Sequence, residues 1–285
     1  MLPEFELLRP KTLGEALDML AEHAPDVMPI AGGTNVVVAL RERDVRSSVL
    51  MDVSGLADLR GIRAENGHVV VGGGTTITEL VESPLIAEKG MPLAAAAVQL
   101  GNPLIRNRAT LAGNLVDASP AADTAPPLLV LDAEVELASK AGTRTVLLDD
   151  FLVGVNQTLC QPDELLVAVR WAAPDGAAAF HKIGLRKAGA CSVATVAVRV
   201  ACDAAGRCTK ARIALGAVAP RPIRAHAAEA ALVGTQLTDE DIAKAAKLAA
   251  GATSPIDDVR STAAYRLHVS EVLVGRLLGE VRAAM

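Results

Sequence analysis

The chain has 285 residues, a net charge of −5, and only three Phe, one Tyr and one Trp. It therefore lacks the positive excess that a phosphate backbone demands and the stacking rings that single strands use, so no nucleic-acid partner is expected. Apolar residues, mostly Ala, Val and Leu, make up 51% of the sequence, which implies a globular chain with ample core. No apolar run reaches the roughly 18 residues of a membrane span. The acidic start "MLPEFELLRPKTLGEAL" lacks a basic, then apolar, export signal, so a cytoplasmic location is expected. Cys160, Cys191, Cys202 and Cys208 show no CxxC spacing and no neighbouring histidine cluster. Reduced thiols, and no metal site on this chain, are the expectation.

In chain order, "EFELLRP" reads as a strand and "TLGEALDMLAEHA" as a helix, with Leu13, Ala16, Leu17 and Leu20 at helical spacing and Thr12 as its cap. "VMPIAGG" is a short buried strand entering a turn, "NVVVALRERD" a helix despite its valines, and "SSVLMDVSGL" another strand. A second unit starts near Gly61. "GHVVVGGGTTITEL" gives a strand, a glycine turn and a helix start. "SPLIAEKGMPLAAAAVQLGN" reads as one helical stretch that Gly101-Asn102 stops. "AEVELASKAGTRTVLL" alternates as a hairpin, and "DELLVAVRW" is a further strand. "APDGAA" is the link at which a third unit begins. There "CSVATVAVRVACDAAGRCTKARIALGAV" makes two long strands about an Asp-Ala-Ala-Gly turn. Three helices follow, the second opened by a capping box at Thr238.

Two stretches stand apart from this regular pattern. In "AGGTN", Gly32 and Gly33 can adopt positive φ and carry no Cβ to hold a ligand away. Successive amides in such a turn form a nest for anions, to which Thr34 and Asn35 add donors. Taken alone, the pair is better read as an ordinary tight turn between strand and helix. The second stretch, "IRNRATLAGNLVDASPAADTAPP", is read as another glycine loop. Thr110 offers a hydroxyl, Gly113 a close backbone approach and Asn114 an amide. Asp123 can accept from ribose hydroxyls, as acidic residues do in dinucleotide folds. Pro126-Pro127 then opens a helix, which Asp123 or Thr124 could simply cap. "GGGTT" at Gly72 lacks the third glycine of a dinucleotide fingerprint, and "GLRKAGAC" lacks the Lys-Ser/Thr of a phosphate loop.

Together, "AGGTN" and "IRNRATLAGNLVDASPAAD" resemble the FAD-binding medium subunits of molybdenum-containing hydroxylases, the xanthine dehydrogenase and carbon monoxide dehydrogenase type. The likeness runs from "RPKTLGEAL" to "YRLHVSEVLVGRLL". It implies an α+β chain: a two-subdomain FAD-binding fold of the vanillyl-alcohol-oxidase (PCMH) type, residues 1–60 and 61–175, followed by a C-terminal α+β domain, residues 176–285. By the same resemblance, Ile30, Ala31, Gly32, Gly33, Thr34 and Asn35 form a first clamp on the FAD pyrophosphate and its sugars. Ala109, Thr110, Gly113 and Asn114 form a second, and Asp123 lies towards the ribose and adenine. Leu166 packs near the flavin, and Lys182 lies near the isoalloxazine end. Ala112 stands where many relatives have a second glycine. His181 stands where relatives often have an aromatic, and is expected beside the flavin.

The resemblance further implies partners: a small iron–sulfur subunit with two 2Fe-2S clusters and a large subunit with a molybdenum-pterin cofactor, assembled as a dimer of heterotrimers. Electrons would pass from the clusters through FAD to NAD+, a quinone or another acceptor. No cysteine interrupts "NLVDASPAADTAPP", which disfavours the branch with an inserted cysteine-rich segment, and no cluster is expected on this chain. No general acid or base is expected. A self-contained flavin oxidoreductase of the same fold and a flavin-free assembly subunit are the competing readings.

Overall fold

The structure is a computed structural model that describes residues 2–42 and 47–285. The elements in order are β1 (Glu6–Leu8), α1 (Leu13–His23), β2 (Val27–Ile30), α2 (Val36–Glu42) and β3 (Val49–Asp52). Next come β4 (Ile62–Glu65), β5 (His68–Gly72), α3 (Ile77–Glu82), α4 (Pro84–Lys89), α5 (Met91–Gln99), α6 (Pro103–Arg106), α7 (Leu111–Val116) and α8 (Ala125–Val130). Then follow β6 (Glu134–Ser139), β7 (Gly142–Leu147), α9 (Leu148–Phe151), β8 (Leu152–Gly154), β9 (Gln157–Thr158) and β10 (Leu165–Ala172). The chain ends with β11 (Ala177–Gly184), β12 (Ser192–Cys202), β13 (Cys208–Gly216), β14 (Ile223–Arg224), α10 (His226–Leu232), α11 (Asp239–Gly251) and α12 (Ala263–Ala283).

Three sheets carry the architecture. The first is parallel, in the order β1-β3-β2. The second is antiparallel, β4-β5-β10-β6-β7, and the third is β11-β12-β13-β14. Strand β10 is central because both of its faces are apolar. Leu165 and Val167 enter the core of the first sheet, whereas Leu166, Val169 and Trp171 enter the core beneath α3 to α8. Trp171 is buried, and its ring nitrogen donates to the Lys89 carbonyl at 2.9 Å. The third sheet presents Phe180 and Ala197 to that middle core, and Val196, Val198 and Val200 to a separate core under α10 to α12.

Capping explains most helix starts. Thr12 accepts from the Glu15 amide at 3.2 Å, and Thr238 and Asp241 form a reciprocal capping box. The expected single helix over residues 83–102 is instead two. Gly90 ends α4, and Pro92, which has no N–H to donate, is placed in the first turn of α5. Strand β4, which pairs with β5, was not foreseen, nor was β11, which takes up the end of the "APDGAA" link at Ala177. The last two residues of the expected helix "NVVVALRERD", Arg43 and Asp44, lie outside the described residues.

Candidate functional site

The Gly-Gly turn follows β2 and leads into α2. Gly33 has φ of +72°, in the left-handed region that favours glycine. Gly32 is required for a different reason from that expected. A Cβ there would lie 1.9 Å from the Arg108 carbonyl oxygen, so its bareness admits the backbone before α7 rather than a ligand. The two special stretches therefore touch at Gly32. Asn35 adds a second tie, its Nδ2 donating to Asp117 Oδ2 at 2.8 Å beyond the end of α7. Burial pushes the Asp117 carboxyl up, against the lowering effect of that hydrogen bond.

The amides of Gly32, Gly33, Thr34 and Asn35 donate to no acceptor among the described residues. Four consecutive free N–H groups beside a left-handed glycine are a nest suited to a pyrophosphate.

The second stretch is not a glycine loop but the start of a helix. Thr110, extended at φ −111°, caps α7, and its hydroxyl oxygen accepts from the Gly113 amide at 3.1 Å. A Cβ on Gly113 would crowd that hydroxyl at 2.9 Å, so the glycine serves the cap. The other early amides of α7 are also engaged, Leu111 to Thr75 O and Ala112 to Gly73 O. What this stretch leaves unused is the Thr110 hydroxyl proton and the Asn114 Nδ2. The Asn114 carbonyl oxygen accepts from Thr124, and neither of those two donors meets an acceptor among the described residues.

The partner of α7 is the turn after β5. Gly73 fits against the Leu166 carbonyl, where a Cβ would come within 2.3 Å. Thr76 bridges to Thr110. A recess of about 30 Å³ between these parts is lined by Ala31, Gly32, Arg60, Gly74, Thr76 and Thr110. The turn Gly73–Thr76 matches the glycine turn expected between strand and helix, although it fits no dinucleotide fingerprint. The run of three glycines that begins at Gly72, before two threonines, is a signal of close backbone approach.

Asp123 does not cap α8. Thr124 occupies that cap position, and the nearly buried carboxylate is held by two donors from the third sheet. Lys182 Nζ donates to Oδ2 at 2.5 Å and Ser192 Oγ to Oδ1 at 2.5 Å. Burial pushes the Asp123 carboxyl up, opposed by the Lys182 charge and by the hydrogen bonds from Lys182 and Ser192. Asp123 and Lys182, expected at different ends of a cofactor, thus form one ion pair. Lys182 also reaches Gln99 O at 3.3 Å and borders a recess of about 480 Å³, within the range of small-molecule pockets. Gly184 and Leu185 also line it, and Arg186 and Lys187 make its rim basic.

Three residues take other places. Leu166 and Ala109 are buried, Leu166 turning its carbonyl to Gly73 and Ala109 its carbonyl to the Ile77 amide. His181, expected beside a flavin, stands opposite Val196 on the face of β11 that carries Ala177, Ala179 and Ile183 into the α12 core. Side chains alternate along a strand, so Lys182 points to the recess and its neighbour points away.

The family model of the FAD binding domain in molybdopterin dehydrogenase matches residues 3–171, and that of the CO dehydrogenase flavoprotein C-terminal domain matches residues 178–281. The chain belongs to the FAD-binding subunits of the molybdenum hydroxylases. It is 32% identical over 281 residues to a xanthine dehydrogenase FAD-binding subunit of Escherichia coli, covering 97% of this chain and 95% of that one. It is 37% identical over 244 residues to the nicotinate dehydrogenase FAD-subunit of Eubacterium barkeri, covering 83% and 82%. The carbon monoxide dehydrogenase structure from Hydrogenophaga pseudoflava that lacks the Mo-pyranopterin moiety superposes with a TM-score of 0.95, at 33% identity and over 99% of both chains. This FAD subunit is thus part of an FAD-dependent oxidoreductase, and among its described residues no helix is long and apolar enough to cross a membrane.

Proposed function

We propose that this FAD subunit is the electron relay of a cytoplasmic molybdenum hydroxylase, taking electrons from the iron–sulfur clusters of a small subunit and delivering them to NAD+, a quinone or another acceptor. Substrate is oxidised at a molybdenum-pterin centre in a large subunit, and the three chains assemble as a dimer of heterotrimers. Bound FAD supplies the redox chemistry, and the protein contributes binding and electrostatics.

The observation that carries the reading is the row of unused amides from Gly32 to Asn35, joined to a buried Asp123–Lys182 pair through α7. The amides of Gly32, Gly33, Thr34 and Asn35 bind pyrophosphate oxygens. Ile30 and Ala31 carry that turn out of β2, and Ala109 fixes the opposite wall. Thr110 and Asn114 donate from the α7 side, with Gly113 keeping the Thr110 cap in place. Asp123 accepts from a cofactor hydroxyl with the lone pairs that Lys182 and Ser192 leave free. Lys182 supplies positive charge at the mouth of the larger recess, and Leu166 backs the wall from the core. The chain divides at residues 60/61 and 175/176.

The test is the absorption spectrum of the purified chain and the identity of the cofactor it releases. Stoichiometric FAD that can be reduced, with no turnover of organic substrates by the isolated chain, is the expected result. A colourless chain that cannot be reconstituted with FAD refutes the reading.

A further inference from the structure

The third sheet holds a β-bulge beside the site, and the bulge has an architecture of its own. Along β11 and β12 the pairing runs Lys182 to Thr195 and Ile183 to Ala194, but Gly184 then pairs with Ser192. Val193 is the extra residue. Lys182 and Gly184 share one face of β11, so skipping Val193 turns Ser192 onto the face that Lys182 occupies. In a regular ladder Gly184 would pair with Val193, and Ser192 would point into the opposite core.

The bulge is held from behind. Arg266 of α12 is 2% exposed and donates Nη1 to Val193 O at 2.8 Å and to Ala217 O at 2.7 Å. Its Nη2 donates to Asp258 Oδ1 at 2.7 Å. A fully buried guanidinium is thus committed to the carbonyl that the bulge releases from the ladder. In front, Ser192 is 0% exposed, and its hydroxyl proton is used on Asp123 alone.

We propose that Ser192, delivered by the Val193 bulge and backed by Arg266, is a positioning residue for the Asp123 carboxylate in cofactor binding. This rests on the FAD reading of the site given above. The physical content is orientation. A carboxylate held only by Lys182 through Oδ2 can still turn about its Cβ–Cγ bond, because an ammonium accepts many angles. A second donor on Oδ1, from a different strand, fixes the carboxylate plane. The lone pairs left over then point in one direction, where a cofactor hydroxyl can meet them.

The experiment strips the full-length chain of flavin and titrates it with FAD into the millimolar range. Ser192→Ala, Ser192→Cys, Asp123→Asn and the double variant are compared with the parent. Ser192→Ala is expected to weaken FAD on the order of tenfold, the scale of a lost hydrogen bond to a charged group. Ser192→Cys, similar in size with a weak S–H donor, falls between the two. In the Asp123→Asn background, Ser192→Ala is expected to cost less than about twofold, because a residue acting through Asp123 has nothing left to position. A packing role would instead leave the two effects independent. Parent-like FAD binding by Ser192→Ala, or effects that add in full, overturns the proposal while the FAD site stands. A parent chain that takes no FAD overturns the site and this proposal together.

Discussion

Gly32 shows what a single atom decides in this site. A methyl at that position would meet the Arg108 carbonyl and carbon at 1.9 and 2.5 Å, both backbone atoms that no rotamer change can move. Gly32→Ala is expected to cost on the order of 3 kcal/mol, the upper range for an overpacked contact, and to lower flavin content by parting the two halves of the site. Gly55→Ala, with nothing within 4 Å, is the control and should leave both unchanged. Thermal unfolding and the flavin-to-protein absorbance ratio of the two variants measure the difference. Gly32, Thr110 and Asp123 were visible in the sequence because they fall in two stretches dense with special residues, "AGGTN" and "IRNRATLAGNLVDASPAAD". Ser192 was not visible, because its place depends on a one-residue slip between strands that no local pattern announces. His181 is a neighbour of Lys182 in sequence but, by the alternation of a strand, faces the other side of the sheet.

At the scale of elements, the second half of the site is built by a helix of six residues, α7, which no periodicity could have revealed. Helices of 11 to 21 residues were legible, α1 and α11 with their Thr12 and Thr238 caps and α12 as a long helical run. The strands β4 and β11 were not, the first because "IRAE" is largely exposed and charged, the second because "AAAFHKIG" does not alternate. In α7 the Thr110 hydroxyl is, among the described residues, the only side-chain partner of the Gly113 amide. Thr110→Ala removes it and is expected to cost about 1 kcal/mol of stability, the usual worth of an N-cap. It should also weaken FAD, whereas Thr110→Ser keeps the cap and both properties. Chemical denaturation of the flavin-free chain gives the first quantity, and FAD titration gives the second.

At the scale of the whole molecule, one carboxylate gathers the densest set of ion pairs between the third sheet and the rest. Asp132 follows α8 with φ of +53° and projects four cations' worth of contacts across the junction. Its Oδ1 accepts from Arg212 Nε at 2.7 Å and Arg224 Nη1 at 3.1 Å, and its Oδ2 from Arg199 Nη2 at 2.8 Å, with Lys210 Nζ at 3.3 Å. Every one of these cations lies in the stretch matched by the C-terminal family model, whereas Asp132 lies in the FAD-binding one. Arg199 is 3% exposed and keeps an unpaired Nε, so it has no water to turn to when its partner is lost. Asp132→Ala is therefore expected to destabilise by about 3 kcal/mol, the scale for orphaning a buried charge, and to split unfolding into two transitions. Burial alone would push the Asp132 carboxyl up, but the hydrogen bond and charge of Arg212, then the charges of Arg224 and Arg199, outweigh it and hold the carboxyl below its ordinary range. Because the folded pKa lies below the unfolded one, the contribution is whole above about pH 4 and disappears as the pH falls through the lowered value. Asp132→Asn should thus differ most from the parent near pH 6 and converge with it on acidification. A stability gap between the two that stayed constant from pH 6 to pH 2 would show that the carboxylate charge has no part in docking the sheet.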